Sequence, residues 1–454
     1  PAQLTLNTIS PAKVSAGGAP FVLTVLGTGF TSTSTVLWNG SARSTTLVST
    51  NELVAQITST DIASVGTASI SVQDPSSSVG TTSSQTLTIA PVSIDAVAFQ
   101  INPAHTGGVS FANITLPTSA AWTVDVGGTP SYALIAGGKV FVTVNLSGAG
   151  SQLIALDQAT GATVWGPIAL GGTANAAYDS GRIFVLSSSI GNAATMLAFD
   201  AQTGSPLWST LLAGQYAFSA APTAADGYVY TGGAGSGGTL YAVDQTNGKI
   251  AWTQQVENGD NSTPAVTADG VYVTYPCWTY DFRPATGDSI WNANTGCEGG
   301  GGATPVVASQ QVYSPNGISG YDGMIYNAAT GTNTGTYNAD APPAFTSGIG
   351  YFLQSGTLRA ITQSNNTVEW SFAGDGHLAG APIAVSQYVF ISSSSGNVYA
   401  LDGATGQQVW QVTLPDPIVV SAAGLPFSGL SAGDGLLVVP AGQTVSAYVL
   451  STNP

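Results

Sequence analysis

One short phrase recurs between residues 156 and 410, and it constrains the fold more than any other feature. Leu156-Asp157-Gln158-Ala159-Thr160-Gly161 leads to Trp165, and Phe199-Asp200-Ala201-Gln202-Thr203-Gly204 leads to Trp208. Val243-Asp244-Gln245-Thr246-Asn247-Gly248 leads to Trp252, Phe282-Arg283-Pro284-Ala285-Thr286-Gly287 to Trp291, and Leu401-Asp402-Gly403-Ala404-Thr405-Gly406 to Trp410. Each Trp stands four residues after its Gly. Two degenerate copies fill the gap: Ala328-Ala329-Thr330-Gly331 with Gly335 where Trp is due, and Ser364-Asn365-Asn366 with Trp370. Successive markers lie 35 to 44 residues apart. A fixed period of this length signals stacked supersecondary units that bury apolar faces against one another.

Each unit reads as four antiparallel strands. Ala220-Pro222-Ala224 suits the first, Tyr228-Val229-Tyr230 the second, Leu240-Tyr241-Ala242-Val243 the third and Lys249-Ile250-Ala251-Trp252 the fourth. The Asp or Asn bonds its own turn, and the Gly supplies a positive φ. The indoles of Trp122, Trp165, Trp208, Trp252, Trp291, Trp370 and Trp410 are expected to wedge against neighbouring units, which makes them structural. Gly335 should then mark a weaker seam.

Composition agrees with a turn-rich all-β chain. Among 454 residues, 57 are Gly and 24 are Pro, and charged residues are only 7%. Helix formers are scarce and Gly has no strict period, which excludes a coiled coil and a collagen. Seven basic against 23 acidic residues give a net charge of −16. A nucleic-acid partner needs a basic stripe that seven scattered cations do not make, and an anionic membrane surface is disfavoured likewise. No apolar run reaches the ~18 residues of a membrane helix. No signal peptide is visible at Pro1, which leaves a mature or an intracellular chain, and the Ser/Thr/Asn/Gln-rich composition favours a mature protein, secreted or at the cell surface, whose signal peptide has been removed.

Residues 1–91 form a first domain of short alternating strands. Phe21, Leu23 and Val25 point one way and Val22 and Thr24 the other; Ala68, Ile70 and Val72 repeat the pattern, and Leu87 and Ile89 close it. The segments Ile9-Ser10-Pro11, Gly17-Gly18, Leu23 through Phe30, Val36-Leu37-Trp38-Asn39-Gly40 and Gly66 through Val72 resemble the IPT/TIG family of immunoglobulin-like β-sandwiches. That resemblance implies a spacer or interaction module.

Residues 92–118 read as a linker and lead-in, and 119–454 as the repeat domain. The repeats, with Ala98-Phe99-Gln100 and Pro103-Ala104-His105-Thr106-Gly107 ahead of them, resemble the quinoprotein-like (PQQ-like) eight-bladed β-propellers. Ala121-Trp122-Thr123-Val124 looks like an outer strand with no blade before it, and the C-terminal unit at 435–449 lacks its Trp-bearing strand. The two halves make one blade, closed by residues 119–126. The span from 123 to 450 then gives eight blades of about 41 residues, near the usual propeller-blade length. Seven is the alternative, should the units at 292–370 merge.

The resemblance covers quinone-dependent dehydrogenases, which hold the cofactor on calcium with carboxylate and Asn ligands, and a non-enzymatic branch of assembly scaffolds. The two cysteines here, Cys277 and Cys297, are twenty apart rather than adjacent, and no ligand set stands out. No cofactor and no catalytic residue is therefore expected. Only two histidines, His105 and His377, are present, which leaves little for a Ser–His–Asp triad or a His-rich metal site. A structural role is expected for His105. Glu257-Asn258-Gly259-Asp260-Asn261 offers oxygen ligands for Ca²⁺, but a polar turn is the preferred reading.

Strand counting puts Cys277 and Cys297 on one face of neighbouring blades, where a disulfide is expected; two buried thiols are the alternative. Tyr275, Trp278 and Tyr280 flank Cys277, and Asp375 and His377 fall on the same face. Aromatic rings with carboxylates nearby stack on sugars, so these five residues form a candidate binding face. The expected role is a non-catalytic scaffold that contacts other surface proteins or copies of itself, adhesive or self-assembling. Glycan binding or cleavage, and a quinone-dependent dehydrogenase, are the alternatives.

Overall fold

The computed structural model describes residues 3–10, 12–16, 20–90, 94–188, 193–213, 218, 220–233, 238–256, 262–275, 277–296, 303–316, 323–346, 348–418 and 428–451. The chain divides into two units, Pro1–Ser93 and Ile94–Pro454. In the first, Thr5–Ser10, Phe21–Thr28, Glu52–Ile57 and Thr45–Ser49 make one sheet. Lys13–Ser15, Gln85–Ala90, Gly66–Gln73, Thr35–Trp38 and Ser41–Ala42 make the other. Leu23, Val25, Val36, Trp38, Ile70, Val72 and Leu87 from both sheets share one core, while Val22 points outward at 48% exposure. The alternation in sequence is thus the alternation of faces. Buried Asp74 ties two loops together by accepting hydrogen bonds from the hydroxyls of Thr31, Ser34 and Ser76 at 2.5–2.6 Å.

The second unit is an eight-bladed β-propeller. Blade 1 covers 129–170, blade 2 174–212, blade 3 223–256, blade 4 265–294, blade 5 306–337, blade 6 344–372 and blade 7 378–413. Blade 8 joins the two ends of the unit: Trp122–Asp125 pairs antiparallel with Thr444–Val449, and Trp122 stands opposite Ala447.

Neighbouring blades lock through one repeated contact. The Trp indole N–H of one blade donates to a turn carbonyl of the next: Trp122 to Gln158, Trp165 to Ala201, Trp208 to Gln245, Trp252 to Pro284, Trp291 to Ala328 and Trp370 to Gly403, at 2.8–3.1 Å. Trp410 closes the ring by donating to Pro117 at 2.6 Å. Behind each Trp, on the third strand of its own blade, stands a small residue: Ala155, Ala198, Ala242, Ala360, Ala400 or Ala447.

Two blades break the pattern. In blade 5, Gly335 replaces Trp and Ile325 stands opposite it, so volume lost on one strand returns on the other. The seam to blade 6 is filled by Tyr313, Tyr337, Phe345 and Phe352, with Tyr313 and Phe345 centroids 4.5 Å apart. Where a weaker seam was expected, four aromatic rings stand in place of one indole. In blade 4 the residue opposite Trp291 is Asp281.

Candidate functional site

Residues 94–109, expected as linker and lead-in, belong to the propeller and bond to each of its blades. The Ile94 carbonyl accepts from Asp434 of blade 8, Ala96 exchanges both bonds with Ile135 of blade 1, and Val97 accepts from Tyr178 of blade 2. Pro103 accepts from Val266 of blade 4, Ala104 from Val307 of blade 5, Thr106 from Phe345 of blade 6, and Gly107 and Val109 from Ala384 and Ser386 of blade 7. His105 reaches blade 3 through Thr223 Oγ1 at 3.3 Å and blade 5 through the Pro305 carbonyl at 3.1 Å. One segment therefore satisfies backbone groups around the whole ring. A tight turn makes this path possible, with Gln100, Ile101, His105 and Gly107 all at positive φ.

His105 is fully buried. Burial drives its pKa down to about 4, against the opposing pull of the Pro305 carbonyl. The neutral ring uses both nitrogens: Nδ1–H donates to Pro305, and Nε2 accepts from the Thr223 hydroxyl. Both are spent on structure.

The aromatic part of the candidate binding face is mostly interior. Tyr275 is 1% and Tyr280 8% exposed, so neither presents a ring to a sugar, and only Trp278 is partly exposed. Trp278 stacks on Tyr280, and Tyr280 on Phe282, at centroid distances of 5.6 and 5.8 Å. This ladder occupies alternate positions of the strand Trp278–Phe282, a pattern that alternation in the sequence could have revealed. Cys277 is buried at φ +74° and disulfide-bonded. Cys297 and Glu257–Asn261 lie outside the described residues.

Asp375 and His377 are exposed in the loop between blades 6 and 7, and blade 5 stands between them and Trp278. Asp375 fastens its own loop: its carboxylate accepts from Ser393 Oγ at 2.7 and 2.9 Å, Asn397 Nδ2 at 2.8 Å and the His377 N–H at 3.0 Å. Burial opposes ionisation of Asp375, but the Ser393 and Asn397 bonds outweigh it and bring its pKa down to about 2.

The seam between blades 4 and 5 holds polar groups that the sequence reading missed. Ser314 Oγ bonds Thr274 Oγ1 at 2.8 Å and Thr279 Oγ1 at 2.6 Å, and Asn316 Nδ2 donates to Thr279 and to Tyr326 OH. The Asn316 Oδ1 and Asp281 Oδ1 atoms are buried without a hydrogen-bond partner. Asp281 lies on the strand that carries Thr279. Burial is the main cause of its pKa, pushed up to about 8, and Asp269 adds to it while Arg283 opposes it. Among the described residues, no three His, Cys, Asp or Glu side chains converge as a metal site. No helix among them is long and apolar enough to cross a membrane.

Comparison with known proteins gives one family and a set of fold neighbours. Residues 117–218, 149–339 and 278–452 match the family described as outer membrane protein assembly factor BamB. The structure is similar to BamB from Moraxella catarrhalis at a TM-score of 0.56 and 15% identity, covering 73% of this chain and 99% of that one. It is also similar to a europium-containing methanol dehydrogenase at 0.57 and 14% identity, covering 76% and 89%. At these identities the likeness is one of fold. A tetrathionate hydrolase from Acidithiobacillus ferrooxidans is 28% identical over 160 residues, which is 35% of this chain and 30% of that protein.

Proposed function

We propose, from the premise that this chain belongs to the family of the outer membrane protein assembly factor BamB, that it is a non-catalytic scaffold exported to the surface of a bacterium. Its partners are other surface proteins or further copies of itself. The observation that carries this reading is the path of residues 94–109. The chain's own backbone, with both nitrogens of His105, takes up bonding groups around the ring. The polar side chains singled out by sequence are likewise spent on folding: Asp375 holds a loop, and the repeat Asp residues hold their turns, as Asp402 does with Thr405. On this reading the first unit is an IPT/TIG-type spacer or contact module, and Cys277 pairs with Cys297.

The test is direct. Purified protein, given pyrroloquinoline quinone and Ca²⁺, is assayed for dye reduction with a panel of alcohols, while affinity capture from intact surface fractions reads partner binding. No turnover together with a saturable partner supports the scaffold. Turnover that depends on the quinone would replace it with a dehydrogenase, the activity named for one of the fold neighbours. Glycan binding is the second reading, favoured only by the partly exposed Trp278 indole. It requires glycan-array hits that are lost in Trp278→Ala.

A further inference from the structure

The outermost strand of blade 2, Pro206–Leu212, is a sheet edge unlike the others. Its Trp208, Thr210 and Leu212 turn toward blade 3, where Trp208 and Thr210 bond Gln245 and Gly248. Leu207, Ser209 and Leu211 occupy the opposite face, and all three are exposed. Leu211 is 64% exposed, the highest value among the large hydrophobic side chains described, and Leu207 is 47% exposed. Three residues past the marker, six other blades place polar or small groups, Gln255, Asn294, Asn338, Ala373, Thr413 and Asp125, and blade 1 places Ile168, which is only partly exposed.

Edge strands are commonly protected by charge, proline or a bulge. Blade 1 has Pro167 and a register shift at this level. Blade 6 has Glu369 in its outer strand, blade 8 has Asp125, and Lys249 and Asp288 adjoin those of blades 3 and 4. Blade 2 shares the register shift of other blades, between Ala198 and Phe199, but past Pro206 its outer strand has no proline and no charge; those of blades 5 and 7 are uncharged as well, with Asn338 and Thr413 in the place of Leu211. Residues 201–225 contain no charged side chain, in a chain of net charge −16.

We infer that this edge pairs with the same edge of a second copy, antiparallel about a two-fold axis at Ser209. That register is self-complementary. It sets Leu207 opposite Leu211 of the second copy, and Leu211 opposite its Leu207, on one face of a sheet continuous across both propellers. A two-fold interface uses one patch twice, and apolar cross-strand pairs stabilise such a join. The occupant is a copy of this chain because both strands are uncharged. At almost any other approach, two chains of this net charge repel.

The inference rests on the scaffold reading and names one of its partners. Sedimentation equilibrium of the full chain tests it, with two variants. Wild type should show a reversible dimer. Leu211→Lys should sediment as a monomer with its melting temperature unchanged, because that side chain is exposed. Ser209→Cys should form an intermolecular 209–209 disulfide under oxidising conditions, identified by peptide mapping. A monomeric wild type, or a dimer that survives Leu211→Lys without the 209–209 link, overturns the interface. Either result leaves the scaffold reading standing, since that reading fails only on quinone-dependent turnover or absence of any partner.

Discussion

Gly248 lies against the Trp208 indole so closely that a Cβ there would stand 2.6 Å from Cε3. The same holds for Gly161 under Trp122, Gly204 under Trp165, Gly287 under Trp252, Gly331 under Trp291 and Gly406 under Trp370, at 2.6–2.7 Å. The turn glycine therefore meets two demands at once, a positive φ and a flat platform for the ring. Blade 5 separates them. It presents Gly335 in place of an indole, and the turn of blade 6 that would receive it has Asn366, at φ +58°. Where the ring is missing, the conformation alone remains, and Asn satisfies it.

Trp208→Ala should destabilise by somewhat less than the about 3–5 kcal/mol of a fully buried aromatic cut to Ala, because the indole is half-buried. Gly248→Ala should also destabilise, and the two costs should fall short of additive, because the first change removes the atoms that the second would strike. Asn366→Gly should be nearly neutral. Chemical denaturation of the three single variants and the double variant measures this; additive costs would refute the shared contact.

Asp281 should make the seam between blades 4 and 5 sensitive to pH. Its folded pKa, about 8, lies above the ordinary 3.8, so the folded state holds the proton more tightly than the unfolded chain. Stability is then greatest below the ordinary value and declines as pH rises from about 4 toward 8. Asp281→Ala, which installs the residue six other blades have, should raise the melting temperature at alkaline pH and change it little in acid. Parallel melting curves for the two proteins across that range would remove Asp281 as the cause.

His105 acts in the opposite sense. Its folded pKa of about 4 lies below the ordinary 6.5, so its contribution is complete above the ordinary value and is lost as pH falls toward the folded one. His105→Ala should cost about 1–3 kcal/mol near neutrality, since the Thr223 hydroxyl and the Pro305 carbonyl lose a buried partner. The loss should shrink in acid. Melting curves of the variant at neutral and acid pH read both effects.

Non-reducing peptide mapping of native protein should recover a Cys277–Cys297 link. A loop of about twenty residues gives such a crosslink ~3 kcal/mol in the chain-entropy treatment. Two free thiols would count against both the pairing and an oxidising location.

The blade count was legible because most blades repeat the same local chemistry. An Asp or Asn accepts from a Thr three residues on, as Asp157 does from Thr160 and Asn327 from Thr330, a Gly follows, and a Trp comes four residues later. These are short-range relations, so they survive in sequence as a period. The faces of the first unit were legible likewise, because strand alternation writes burial into every second residue. The candidate binding face fared differently. Tyr275 and Tyr280 were placed beside the right cysteine, but exposure is decided by the neighbouring blade, and they are buried.

The sequence by itself determined an all-β chain of two units and its repeated four-stranded blades, because turn chemistry and periodicity act within a few residues. Only the tertiary structure decided which groups meet across blades. It brings His105 to Thr223 and Pro305, carries residues 94–109 past all eight blades, and sets Ile325 opposite Gly335. It also leaves Leu207 and Leu211 exposed on one edge while Trp208 between them reaches into the next blade. Such pairings join residues from 10 to about 340 positions apart. The free energy of burial depends on which surfaces close on one another, and no local pattern records that.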